Sequence, residues 1–187
     1  MWSNKKFLVI SLMIISILIG TGIGYSLTPE YQKTMYNKNE MELGVADYWL
    51  DLRYINEMIA HHRGAVLLAQ KALDKTQRPE IKALAEEIIK NEPIAISELY
   101  KWKKDWYGDI KKVKDPVVAN LGESNETFDL RFLNALIFHH QSGVLMTKEA
   151  RLKSSRSEIL NNADTVELFL NDSLKKLINW RQEWYKI

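Results

Sequence analysis

The sequence has no cysteine in its 187 residues. That excludes disulfides, thiolate metal sites and cysteine nucleophiles, and leaves the compartment open. Net charge is nearly absent too: 26 Lys and Arg stand against 24 Asp and Glu, and without Lys5 and Lys6 of the leader the two signs balance at 24 each. A neutral body gives no electrostatic case for nucleic acid as a partner. Strand signal is negligible. The sequence holds no HExxH zinc-protease motif, no GxSxG and no Gly-rich phosphate loop, and no nucleophile stands beside a base at recognisable spacing. A catalytic role is therefore not expected. Histidine is scarce, with four in the chain. All four form adjacent doublets, His61 and His62 in "MIAHHRGAVLLAQ" and His139 and His140 in "LIFHHQSGVLMTK".

One long uncharged run is present, "FLVISLMIISILIGTGIGYSL" at 7–27, matching the roughly 20 residues a membrane helix needs. Lysines precede it and no A-x-A-like site follows. Residues 1–27 are expected to be an uncleaved signal anchor that places the body, 28–187, outside the cytoplasm at the cell membrane; a cleaved leader and a secreted or periplasmic body is the alternative. Gly20 and Gly24 form a GxxxG pair, a spacing that can join two such helices into a homodimer.

The body is duplicated. "DLRYINEMIAHHRGAVLLAQKA" (51–72) lies over "DLRFLNALIFHHQSGVLMTKEA" (129–150) without a gap, at an offset of 78 residues and with 10 of 22 positions identical. The register persists through Trp102, Trp106 and Tyr107, which fall on Trp180, Trp184 and Tyr185. The two doublets thus occupy equivalent sites.

Each half reads as a helical hairpin. Ile55, Ile59, His62, Val66, Ala69 and Leu73 recur at alternating four- and three-residue steps, beside a second stripe of Tyr54, Met58, His61, Ala65, Leu68 and Ala72. So wide an apolar face belongs inside a bundle. Thr76 or Gln77 is expected to cap the next helix, with Pro79 in its first turn, and Ser155 and Glu158 stand at capping-box spacing in the second half. The pattern predicts all-α architecture: four helices near 44–74, 78–107, 127–154 and 157–185. Repeat 1 spans about 44–107, a polar connection 108–126, and repeat 2 about 127–187. The tryptophans at i and i+4 are expected to pack the ends of the bundle.

Adjacent helical residues diverge by about 100°, so the two histidines of a doublet look toward different neighbours. If the first and third helices face each other, imidazoles of both doublets meet near the centre. Imidazole suits copper, zinc, nickel and iron, and thioether sulfur favours Cu(I). Met58 lies within a turn of His61 and His62, and Met146 two turns beyond His139. Three readings stay open on these residues: metal ligation, a buried polar cluster with Asp51, Asp129, Asn56 and Asn134 as partners, and acid–base chemistry. A di-iron carboxylate site is disfavoured, because Glu57 precedes His61 by four residues rather than three and Ala135 occupies the matching place. Ligation requires neutral imidazole, so affinity is expected to fall through a titration near 6.5 for unperturbed side chains.

Asp51, Tyr54, Met58-Ile59, His61-His62, Ala65 and Ala69, followed by "LAEEIIKNE" and "ELYKWKKDWYG", resemble the DUF305 family of bacterial extracytoplasmic proteins over nearly all of 44–186. The resemblance implies a ferritin-like four-helix bundle and a copper ion as ligand. It implies Met58, His61, His62, His139, His140 and Met146 as metal ligands, and a role in sequestering or passing on copper. The chain departs from the family pattern at Glu92, Ala95 and Leu99, and at Leu68 and Leu136, where methionine is expected. Those losses imply fewer bound ions than in Met- and His-rich relatives. A non-catalytic structural or interaction module is the alternative function.

Overall fold

The two adjacent apolar stripes of each half can be buried only between several neighbours, and a computed structural model describing residues 43–187 shows how this is met. Four helices form: α1 (Leu50–Leu73), α2 (Pro79–Tyr107), α3 (Phe128–Lys153) and α4 (Ser157–Tyr185). No strand occurs among the described residues. The membrane segment expected at 7–27, with its Gly20/Gly24 pair, lies outside them. Among the described residues no helix is long and apolar enough to cross a membrane.

α1 packs on α2, α3 on α4, and the two hairpins join along α1 and α3. The wide stripes put α1 and α3 inside, whereas α2 and α4 each bury a narrow line: Ile81, Leu84, Ala85, Ile88 and Leu99 in one, Ile159, Ala163, Leu170 and Leu177 in the other. The inner helices run antiparallel. Ala65 to Ala72 of α1 share a core cluster with Phe128 to Ile137 of α3, while Leu50 to Ile59 share another with Met146 and Ala150. The connection therefore travels the length of the bundle beside α1, as in folds with one long crossover. Tyr100 Oη accepts from Val113 N at 3.0 Å, Lys71 Nζ donates to Ala119 O at 3.2 Å, and Lys75 Nζ to Gly122 O at 2.9 Å.

α1 begins at Leu50 rather than near 44 because its first turn holds the preceding residues in a loop. Arg53 donates from Nε to Leu43 O at 2.5 Å and from Nη2 to Val45 O at 2.6 Å, with Gly44 at φ 72°. Arg131 repeats this with Leu121 O at 2.6 Å and Glu123 O at 2.7 Å, around Gly122 at φ 68°. The folded repeat thus includes the loops beginning at Leu43 and Leu121.

The capping expectations fail for one shared reason. Arg78 and Arg156 occupy the N-cap positions without a side-chain cap, and the hydroxyls of Thr76 and Ser154 are engaged across the hairpin interface. Thr76 Oγ1 donates to Asp129 at 2.6 Å and Ser154 Oγ to Asp51 at 2.6 Å, while each accepts the backbone N–H two residues on, at 3.1 and 3.2 Å. Ser157, not Ser155, engages Glu158. The same exchange carries the arginines over the other half's partners: Arg156 donates to Asp51 at 3.1 Å and lies 4.2 Å from the Trp106 ring centroid, and Arg78 lies 4.1 Å from that of Trp184. Trp102 stacks on Trp106 and Trp180 on Trp184, each pair at 5.1 Å, one pair at either end of the bundle.

Candidate metal centre

Antiparallel packing of α1 on α3 brings the doublets to equal depth, between the two apolar clusters. All four histidines are buried. His61 and His139 meet face to face, with ring centroids 3.9 Å apart and planes 4° from parallel. Their neighbours turn away: the His61 and His62 centroids are 6.1 Å apart, and those of His139 and His140 6.0 Å.

The stack fits because each inner imidazole lies against backbone of the opposite helix. A Cβ at Gly143 would stand 2.6 Å from His61 Nε2 and 2.6 Å from Leu170 Cδ1, and one at Gly64 would stand 3.1 Å from His139 Cε1 and 3.4 Å from Pro116 Cγ. Glycine at Gly143 costs the helix about 1 kcal/mol relative to alanine, so the close approach is what it serves. The approximate twofold breaks here, since position 143 corresponds to Ala65, yet His139 rests on Gly64.

The outer histidines have separate partners. His62 Nδ1 pairs with Glu92 Oε2 of α2, and His140 Nε2 lies 2.9 Å from Ser173 Oγ of α4. Glu92 precedes Pro93, which removes one N–H from the interior of α2. The candidate partners Asp51, Asp129 and Asn134 bond elsewhere, to Ser154 and Arg156, to Thr76, and to Arg181. His62 Nε2, His140 Nδ1 and Asn56 Oδ1 are buried with no hydrogen-bond partner among the described residues.

The inner pair opens on a cavity of about 450 Å³ between α1, α3 and the connection, lined by His61, His139, Met146, Asn56, Glu57 and residues 113–118 among others. Met146 therefore shares the cavity with two imidazoles. Met58 does not line it; it is fully buried in the apolar cluster with Tyr54 and Ile55. Of the six candidate ligands, the fold brings His61, His139 and Met146 to one cavity and sends His62 and His140 toward α2 and α4. Gly64, Gly143, Glu92 and Ser173 complete the surroundings. Of these, only Glu92 stood out in the sequence, as a departure from the family pattern.

Burial holds the His61 and His139 pKa values well below the usual range, and positive charge on neighbouring imidazoles lowers them further. Burial pushes His140 down to about 4. Three of the four rings are therefore neutral bases at pH 7, the form that ligates. Among the described residues, no three His, Asp or Glu side chains are grouped so as to hold a metal ion. Parallel stacked rings carry their lone pairs side by side in their own planes. Joint ligation of one ion by His61 and His139 requires at least one ring to turn.

Two duplicated hairpins closed around a buried imidazole layer, with one long crossover, define an all-α bundle that holds all four of the chain's histidines at its centre. The chain belongs to the DUF305 family. The family model, described as a domain of unknown function (DUF305), matches residues 51–127. Solved structures of CopM are similar to it. The apo form is 30% identical, with 71% of this chain and 96% of that one covered and a TM-score of 0.62. The Cu(I)-bound form is 29% identical, covering 71% and 95%, with a TM-score of 0.63, and the Cu(II)-bound form 26% identical, covering 72% and 97%, also at 0.63. No curated protein matches the chain.

Proposed function

We propose that the protein binds copper, as Cu(I), at the centre of its bundle, and that it sequesters the ion or passes it on without catalysing a reaction. The observation that carries this reading is the sharing of one cavity by the neutral imidazoles of His61 and His139 and the thioether of Met146. Two nitrogens and a sulfur suit a soft monovalent ion that accepts low coordination numbers. Similarity to a protein solved with Cu(I) and Cu(II) bound supports the choice of metal. His62 and His140, each holding one buried nitrogen without a hydrogen-bond partner among the described residues, keep two more donors in the same layer.

The uncharged run at 7–27 supports attachment to the cell membrane with the bundle outside the cytoplasm.

A second reading is favoured by the parallel ring stack and by the fact that, among the described residues, no three His, Asp or Glu side chains are grouped so as to hold a metal ion: the histidines hold the two hairpins in register. Competition titration of the purified full chain with Cu(I), Cu(II) and Zn(II) against chelators of known affinity separates the two, run beside His61→Ala/His139→Ala. Cu(I) uptake abolished in the variant supports copper binding. No ion held by either protein, with the variant merely less stable, overturns it in favour of the register reading.

A further inference from the structure

The duplication supplies an internal control for the two ends of the bundle. At both ends an arginine from the first helical turn, Arg53 or Arg131, holds the loop before α1 or α3 in the same conformation. The residues on those loops are different in kind. Val45, Tyr48 and Trp49 stand where the other end has Glu123, Glu126 and Thr127. The loop fold does not require aromatic residues, since polar ones form it equally well.

Nor are those side chains buried: Val45 is 71% exposed, Tyr48 69% and Trp49 51%. Tyr48 and Trp49 pack edge to face at 4.7 Å, and both lie against Tyr107 at the end of α2, at 5.6 and 6.0 Å. Just past Tyr107, Ile110 is 78% exposed. An apolar and aromatic surface thus covers this end.

Cations border it. Residues 100–114 hold six lysines against two aspartates, and both aspartates are paired, Asp105 with Lys101 and Asp109 with Lys103. Asp47, beside the aromatic residues, is paired with Arg53. Lys104, Lys111 and Lys112 are exposed and form no ion pair among the described residues. Tyrosine and tryptophan flanked by lysine match an anionic lipid interface, where the rings settle at headgroup depth and the ammonium groups meet phosphate.

We propose that this end of the bundle, through Tyr48, Trp49, Tyr107 and Ile110 with Lys104, Lys111 and Lys112, docks on the surface of an anionic membrane. The chain enters the bundle at Leu43, on this same end. The proposal rests on the reading of 7–27 as a membrane segment, because 15 residues (28–42) then separate it from Leu43. That length spans at most roughly 50 Å, so the bundle is tethered by this end within that distance of the bilayer. Docked so, the long axis of the bundle stands away from the membrane and the cavity at its centre stays open to the aqueous side.

The test uses the full chain in vesicles of phosphatidylcholine with or without phosphatidylglycerol. Because the chain has no cysteine, a polarity-sensitive fluorophore can be placed singly through Tyr48→Cys, Ile110→Cys or, at the opposite end, Glu126→Cys. In phosphatidylglycerol vesicles the labels at 48 and 110 should shift to the blue and be quenched several-fold more by headgroup-level lipid quenchers than the label at 126. Adding Lys104→Glu, Lys111→Glu and Lys112→Glu should weaken that contrast. Labels at 48 and 110 as open to water as the one at 126 would overturn the proposal and leave this surface to a protein partner. Retention on the vesicles after alkaline carbonate washing reports separately on the membrane segment. A chain that washes off yet shows the contrast keeps the docking surface and loses the anchor.

Discussion

Gly143 stands where a Cβ would lie 2.6 Å from Nε2 of His61. The central imidazole stack thus depends on a missing methyl group on the opposite helix. Gly143→Ala should gain up to about 1 kcal/mol of helix propensity and lose about 1–3 kcal/mol to overpacking against His61 and Leu170. The expected result is a lower melting temperature with weakened Cu(I) binding. A variant more stable than the parent would show that the ring has room to move aside.

The loops joining each hairpin are tied to the other half through Ser154 to Asp51 and Thr76 to Asp129, both at 2.6 Å. Asp129 is buried and Asp51 nearly so. Asp51→Ala and Asp129→Ala should each cost about 1–3 kcal/mol by stranding their partners. Denaturant melts of Asp51→Ala, Ser154→Ala and the double variant should give a coupling of roughly 1 kcal/mol. Copper affinity should be unchanged, since neither aspartate lines the central cavity. Additive melts would remove the tie from the account.

Acid should destabilise the metal-free protein before its carboxylates titrate. The unfolded chain protonates its histidines near 6.5, whereas burial holds His140 to about 4 and keeps His61 and His139 well below the ordinary value. Stability is therefore full above about 6.5 and declines as pH falls toward the folded values, because only the unfolded state takes up the protons. His140 alone accounts for about 3 kcal/mol by pH 4. Urea melts between about pH 7 and pH 5 should show the decline, and His140→Gln should reduce it. A flat profile would mean the imidazoles are solvated.

The duplicated hairpins were legible because repetition and periodicity are properties of the sequence, and the DUF305 family because "MIAHHRGA" and the paired tryptophans are. Which histidine of each doublet faces the cavity was not. His61 and His62 both sit in apolar stripes, so periodicity buries both without ranking them, and the assignment waits on the packing of α1 against α3. Glu92 and Ser173 escaped as partners for a related reason: in repeat register Glu92 corresponds to Leu170 and Ser173 to Ala95, so neither pairing is repeated. The loop starting at Leu43 lay hidden because its signal, Arg53 reaching back to the carbonyls of Leu43 and Val45, is a side-chain-to-backbone contact that hydrophobic periodicity does not report. Spacing set Met58 within a turn of its doublet and Met146 two turns from its own, yet of the two, both buried in one cluster, it is Met146 that lines the cavity.

That distinction gives the most direct test. X-ray absorption of the Cu(I)-loaded protein should show a sulfur shell beside imidazole nitrogens, lost in Met146→Leu and retained in Met58→Leu. An all-nitrogen environment, or a sulfur shell that depends on Met58, would contradict a copper site built on the cavity of His61, His139 and Met146.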